Sequence, residues 1–307
     1  MAEPLAARFW GAVLHRSTRI CTALRRRIAR DHLFRPRPDD LFLAAYPGSG
    51  EPVARLMIHR LFAGVADPRA EDPGQVSFPH VESVFPSYSD LVEMDEAAWL
   101  ETLPSPRLLL SRDLPHHLPA GVRVVYLVDD PRRVARACFH RYALLSGVDA
   151  DFAPWFEVFL AGHLPFGSWF DYTRAWWPRR HDDGVLFLTL HQLLDEPEAT
   201  VRRLADFCGV EVGDRVAAIV AGSRPEVVRR HRDRFDPRLR RLDRDAEVAF
   251  VRRGRSGGGR DAFSPRQEEK LRRRLRALAH RLDGFADDPR GRRLLGLLDR
   301  SGAGDGS

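Results

Sequence analysis

The stretch DLFLAAYPGSGEPVAR, residues 40–55, reads as a short apolar run, a glycine-bearing turn and the start of a helix. An uninterrupted apolar run of this length suits a strand covered on both faces. Gly48 and Gly50 let the backbone turn tightly. Pro52 sits in the first turn of a helix, where its missing N–H costs little. Strand, turn and helix N-terminus together make an anion cradle, with backbone N–H groups converging and the helix dipole adding positive character. The side chains in the turn do not follow suit: it carries no lysine or threonine, and Glu51 adds a negative charge.

Three further apolar runs bounded by breakers repeat the strand pattern. The four strands are expected at 40–46, 107–111, 122–128 and 185–190. Helical spacing is expected at 52–63, 132–146, 152–162, 168–178 and 196–208. This alternation predicts an α/β fold, a P-loop-like parallel β-sheet flanked by helices on both faces. Near the C-terminus, Ser264, Pro265 and Gln267 combine a cap, a proline at the first helical position and a capping-box glutamine. Leu271, Leu275, Leu278 and Leu282 follow on one face. The proline-bearing stretch 67–90 reads as a loop or lid.

The turn Tyr46-Pro47-Gly48-Ser49-Gly50-Glu51-Pro52-Val53 resembles the loop of sulfotransferases that use 3′-phosphoadenosine 5′-phosphosulfate (PAPS), which reads roughly YPKSGTTW or YPRSGNTW. Four more segments match the family in order. They are Ser105-Pro106-Arg107 with its apolar run, residues 124–135, Phe166-Gly167-Ser168-Trp169-Phe170 with Trp176-Trp177, and Arg252-Arg253-Gly254. The resemblance spans residues 38 to 285. It implies the sulfotransferase fold, with sulfuryl transfer from PAPS to a hydroxyl or amine of a small-molecule acceptor and without a metal.

The residues the family uses for chemistry are mostly replaced. Gly48 stands for the loop lysine, and Glu51 and Pro52 for its threonine-type partners. Ser49 and the amides of Gly48, Ser49 and Gly50 are the remaining candidates to hold the 5′ end. Asp129 and Ala137 stand where the resemblance implies an arginine and a serine on the 3′-phosphate. Arg132, Arg133 and Arg136 follow, and Arg132 and Arg136 share one helical face that reads as solvated surface. Without gaps, the catalytic histidine falls on Arg112, which stays protonated and cannot serve as a base. Asp113, one residue on, and His116 are the alternative bases. After the 185–190 strand, a tyrosine and an acidic pair become Leu190, His191 and Gln192. Arg252, Arg253 and Gly254 are the best-kept ligand group. The expectation is a family member with impaired chemistry or a pseudoenzyme. A binding or partner protein, and an arginine-rich binder of nucleic acid or an acidic membrane surface, stand as alternatives on the same fold.

Composition sets outer bounds. The chain has 307 residues with formal charge +6, and its cations are arginine except for Lys270. That excess attracts polyanions, or it records arginine used wherever lysine would serve. Three distant cysteines make neither a disulfide framework nor a metal site by spacing, so the expected location is the cytoplasm. Residues 1–37 read as a basic amphipathic N-terminal helical segment, 38–300 as the sulfotransferase-like domain and 301–307 as a disordered tail. A homodimer is left open.

Overall fold

The computed structural model describes residues 34–66, 86–89, 97–146, 151–230 and 263–296, together with positions 24 and 27. The N-terminal basic segment, most of the 67–90 stretch, Arg252-Arg253-Gly254 and the 301–307 tail lie outside the described residues.

Four strands form one parallel sheet: β1 (Leu41–Ala45), β2 (Leu108–Ser111), β3 (Arg123–Val128) and β4 (Val185–Thr189), in the order β2-β1-β3-β4. Leu41 lies opposite Leu108 on one side and Arg123 on the other, and Val124 lies opposite Val185. Alternate side chains go to opposite faces, and both faces are covered. Leu41, Leu43, Val125, Leu127 and Leu188 pack on α1 (Glu51–Ala66), α6 (Pro197–Cys208) and α7 (Val216–Gly222). Phe42, Ala44, Val124, Tyr126 and Phe187 pack on α2 (Pro131–Ser146), α3 (Phe152–Ala161), α4 (Trp169–Trp176) and α9 (Pro265–Ala279). Burial on both faces is why the strands read as continuous apolar runs rather than alternating ones.

The C-terminal helix starts as its sequence predicts. Ser264 Oγ accepts from the Gln267 amide, and Gln267 Oε1 accepts from the Ser264 amide. Leu271, Leu275, Leu278 and Leu282 are buried. Two boundaries move. The fourth strand stops at Thr189, whose side chain caps α5 (Leu190–Asp195) in a second capping box with Gln192, so Leu190 is helical. The helix expected at 168–178 ends at Trp176 and tightens into a 3₁₀ turn over Trp177–Arg179, which contains Pro178. Two further short helices, α8 (Pro225–Arg230) and α10 (Pro289–Leu294), complete the described α-helices.

The N-terminal end of the sheet is held by a buried ion pair. Arg107 donates from Nε and Nη2 to Asp40 Oδ1 and Oδ2 at 2.7 and 2.6 Å, with both side chains inaccessible to solvent. Its Nη2 also donates to the Arg35 carbonyl at 2.6 Å.

Candidate functional site

The strand order places a switch in direction between β1 and β3: the chain leaves β1 for β2 on one side and returns to β3 on the other. Ligands of open parallel sheets bind at the C-terminal strand ends beside such a switch. Two residues beyond the last paired positions, Ala45 and Leu127, lie Pro47 on one strand and Asp129 on the other.

The β1 side is the turn from Tyr46 into α1. Tyr46 Oη donates to the Gly167 carbonyl at 2.9 Å, tying the turn to the segment that enters α4. Gly48 and Gly50 have φ of 88° and 85°, the left-handed region that favours glycine. Each is also hemmed in. A Cβ at Gly48 would lie 3.1 Å from Cys138 Sγ and 3.2 Å from Ala137 Cβ, and one at Gly50 would run into Leu190. Of the three amides the sequence offers to an anion, that of Ser49 is spent inside the turn on the Tyr46 carbonyl at 3.1 Å. The Ser49 side chain is fully buried, and its Oγ has no hydrogen-bond partner. Glu51 is buried at the first helical position. Cys138, on α2, donates its thiol proton to the Pro47 carbonyl at 2.9 Å. Burial, with the nearby Glu51 carboxylate, pushes that thiol up to about 12.

The β3 side ends in two carboxylates. Asp129 is only 3% exposed. Its Oδ1 accepts from Arg133 Nη2 at 2.5 Å and Nε at 3.1 Å, while Oδ2 has no hydrogen-bond partner. Burial raises its pKa to about 6 against the opposing pull of Arg133. Arg132 corrects the surface reading. Its guanidinium is 19% exposed and grips Glu268 of α9 at 2.5 and 3.0 Å as well as Asp130. Arg136 is half-buried, and Ala137 borders Gly48. Arg132 and Arg133 are therefore drawn to the protein's own carboxylates.

The candidate bases diverge. Asp113, beyond the end of β2, is fully buried and accepts at Oδ2 from Ser89 Oγ at 2.9 Å and Ser111 Oγ at 3.3 Å. Arg112 donates its amide to Ser89 Oγ at 2.9 Å, and its charge acts on the buried Tyr172 phenol. The His116 ring lies 4.1 Å from that of His117, tilted by 56°, and lines a cavity of about 810 Å³ with Val122–Val124 and Gly184–Val185. Those residues are at the N-terminal ends of β3 and β4, so His116 belongs to the opposite end of the sheet from Ser49 and Asp129. Sequence reasoning missed the pairing of Asp129 with Arg133, four residues on. Its helical spacing was the available signal.

A sulfotransferase domain model matches residues 38–283, most of the chain. The chain belongs to the sulfotransferase family. Its relatives include rat sulfotransferase 1 family member D1, 25% identical over 248 residues that cover 78% of this chain and 82% of the rat protein. Dog sulfotransferase 1B1 is 26% identical over 254 residues with the same shares. Among solved structures, mouse sulfotransferase SULT7A1 in complex with PAP superposes with a TM-score of 0.66 at 22% identity, covering 89% of this chain and 92% of the mouse chain. Retinol dehydratase with androsterone and the inactive cofactor PAP also gives 0.66, at 19% identity over 82% of this chain and 84% of that one. These neighbours share the parallel sheet and its helical cover. Among the described residues no group of three or more histidine, cysteine or acidic side chains is arranged to hold a metal ion, and no helix is long and apolar enough to cross a membrane.

Proposed function

We propose that this sulfotransferase-family chain has kept the fold and lost efficient use of PAPS, leaving the family's sulfuryl transfer to a small-molecule acceptor impaired. The Asp129 carboxylate carries the reading. It is buried at the end of β3, beside the anion-suited turn, where the resemblance implies an arginine on the 3′-phosphate. A phosphate brought against an ionised carboxylate in a site of low dielectric is repelled. Arg133 does not reverse this, because it is committed to Asp129 itself. The 5′ side is also weakened. Glu51 places a second negative charge at the helix N-terminus that would otherwise favour an anion, and Gly48 contributes no cation. The base position is occupied by Arg112, and Asp113 is engaged by two serine hydroxyls. The residues present suit the 5′ anion of PAPS in part and do not suit its 3′-phosphate.

Calorimetric titration with PAP, beside a turnover assay with PAPS and a panel of phenols, alcohols and amines, tests this. The expected result is a Kd weaker than about 1 mM and no turnover above background. Micromolar PAP binding, or turnover of any acceptor, overturns it.

A further inference from the structure

The switch point between β1 and β3 holds two unsatisfied buried atoms with opposite requirements. Ser49 Oγ, on the β1 side, has a hydroxyl proton to donate and is fully buried. Asp129 Oδ2, on the β3 side, can only accept while ionised, and it is buried with its other oxygen held by Arg133. Buried polar atoms without partners are few in native proteins and call for an account. These two lie beyond the C-terminal ends of adjacent parallel strands whose axes run about 4.8 Å apart, Ser49 four residues past the paired Ala45 and Asp129 two past Leu127. A ligand that satisfies both must offer an acceptor, best an anion, toward the turn of Gly48, Ser49 and Gly50. It must offer an O–H or N–H donor toward Asp129. A nucleoside 5′-phosphate with an unmodified ribose carries both kinds of group on one sugar. A phosphate in place of the 3′-hydroxyl brings only acceptors to that position beside the carboxylate.

We infer that this switch point takes a nucleoside 5′-phosphate whose ribose keeps its 3′-hydroxyl, with the phosphate at the Ser49 turn and the hydroxyl donating to Asp129. This rests on the reading of Asp129 given above and goes further, since it assigns Asp129 a positive role in choosing the ligand. Arg133 is the positioning residue. Its two bonds to Oδ1 fix the carboxylate and leave Oδ2 for the sugar. The hydroxyl donates its proton to the ionised carboxylate, the form that Arg133 favours, in a charge-assisted bond. Gly48 fits the same arrangement, because a side chain there would meet α2 at Ala137 and Cys138 and would crowd the turn on which the phosphate rests.

The test is calorimetric titration of the full chain with AMP, 3′-deoxy-AMP and PAP, repeated with Asp129→Asn. AMP is expected to bind, 3′-deoxy-AMP to bind about 10- to 100-fold more weakly as a charge-assisted hydrogen bond is lost, and PAP to bind more weakly than AMP. Asp129→Asn is expected to narrow the gap between AMP and PAP by at least about tenfold, as the repulsive charge goes. The comparison of AMP with its 3′-deoxy analogue uses the natural chain, so it stands even if the variant folds poorly. Equal binding of AMP and 3′-deoxy-AMP overturns the inference, and so does an Asn variant with unchanged selectivity. If neither AMP nor PAP binds, the inference falls while the loss of PAPS use stands. Micromolar binding of PAP overturns that earlier reading, and if AMP is then the weaker ligand both fall.

Discussion

Replacing Asp129 by asparagine should stabilise the protein, by an amount that follows from its burial. In the folded chain the carboxyl titrates near 6, against an ordinary value of 3.8. At about 1.4 kcal/mol per pH unit, keeping it ionised at pH 7.5 costs the fold about 3 kcal/mol, with the help of Arg133 already included. Asparagine has nearly the same shape and no charge to desolvate. Arg133 is half in solvent and tolerates the loss of its partner. The expected gain is about 1–3 kcal/mol, since the amide oxygen keeps only a weaker bond to Arg133. For a domain of this size each kcal/mol moves Tm by about 2–4 °C. The sign fixes the pH dependence. A carboxyl whose folded pKa is raised binds protons more readily in the folded state, so its cost is full above pH 6, shrinks between 6 and 3.8 and is gone below. Thermal unfolding of both proteins from pH 4 to 8 should show a Tm difference in favour of the variant at pH 7.5 that closes by pH 4. An equal or lower Tm for the variant at pH 7.5, or a difference that does not change with pH, would refute the argument. A carboxylate that destabilises the fold and is kept would be the signature of a site in which stability is given up for binding.

Three other outcomes follow from the packing. Asp40→Asn should lower the urea midpoint at unchanged slope, by the equivalent of about 3 kcal/mol, because Arg107 loses its buried counter-charge and keeps only the part-exposed Glu101 at 3.2 Å; a loss under 1 kcal/mol would mean the pair is dispensable. Gly48→Ala should cost about 1–3 kcal/mol from positive φ and the close approach of α2, and Cys138→Ala in the same chain should recover about 0.5 kcal/mol or more of it in a double-mutant cycle; strict additivity would show that the thiol does not limit the turn. Burial pushes the Cys138 and Cys208 thiols up to about 12 and about 11, so in a Cys21→Ser background neither should react with a thiol reagent at pH 8 until the protein is unfolded; fast labelling of the native protein would contradict their burial.

What the sequence determined is what local pattern and backbone chemistry can encode. Four apolar runs bounded by breakers were enough to place β1 to β4 within one or two residues, because strands buried on both faces leave no alternation to misread. Ser264 and Gln267 marked the start of α9, because a capping box closes within three residues. The glycines of the β1 turn were legible as glycines that a turn needs, and the order of matching segments pointed to the family. Contacts across long stretches of chain were not legible. Arg107 meets Asp40 across 67 positions, and Tyr46 reaches Gly167 across 121. Nothing near either residue in sequence names its partner. The site shows the same division. That Asp129 and Glu51 are acidic is plain from the chain, but an exposed carboxylate is commonplace and a buried one with a free oxygen is a demand for a donor. Only the tertiary structure decided which of the two Asp129 is. The packing of α2 and the sheet removes the water that would otherwise have satisfied it, and the parallel pairing of β1 with β3 sets it level with Pro47, at the start of the turn that carries Ser49.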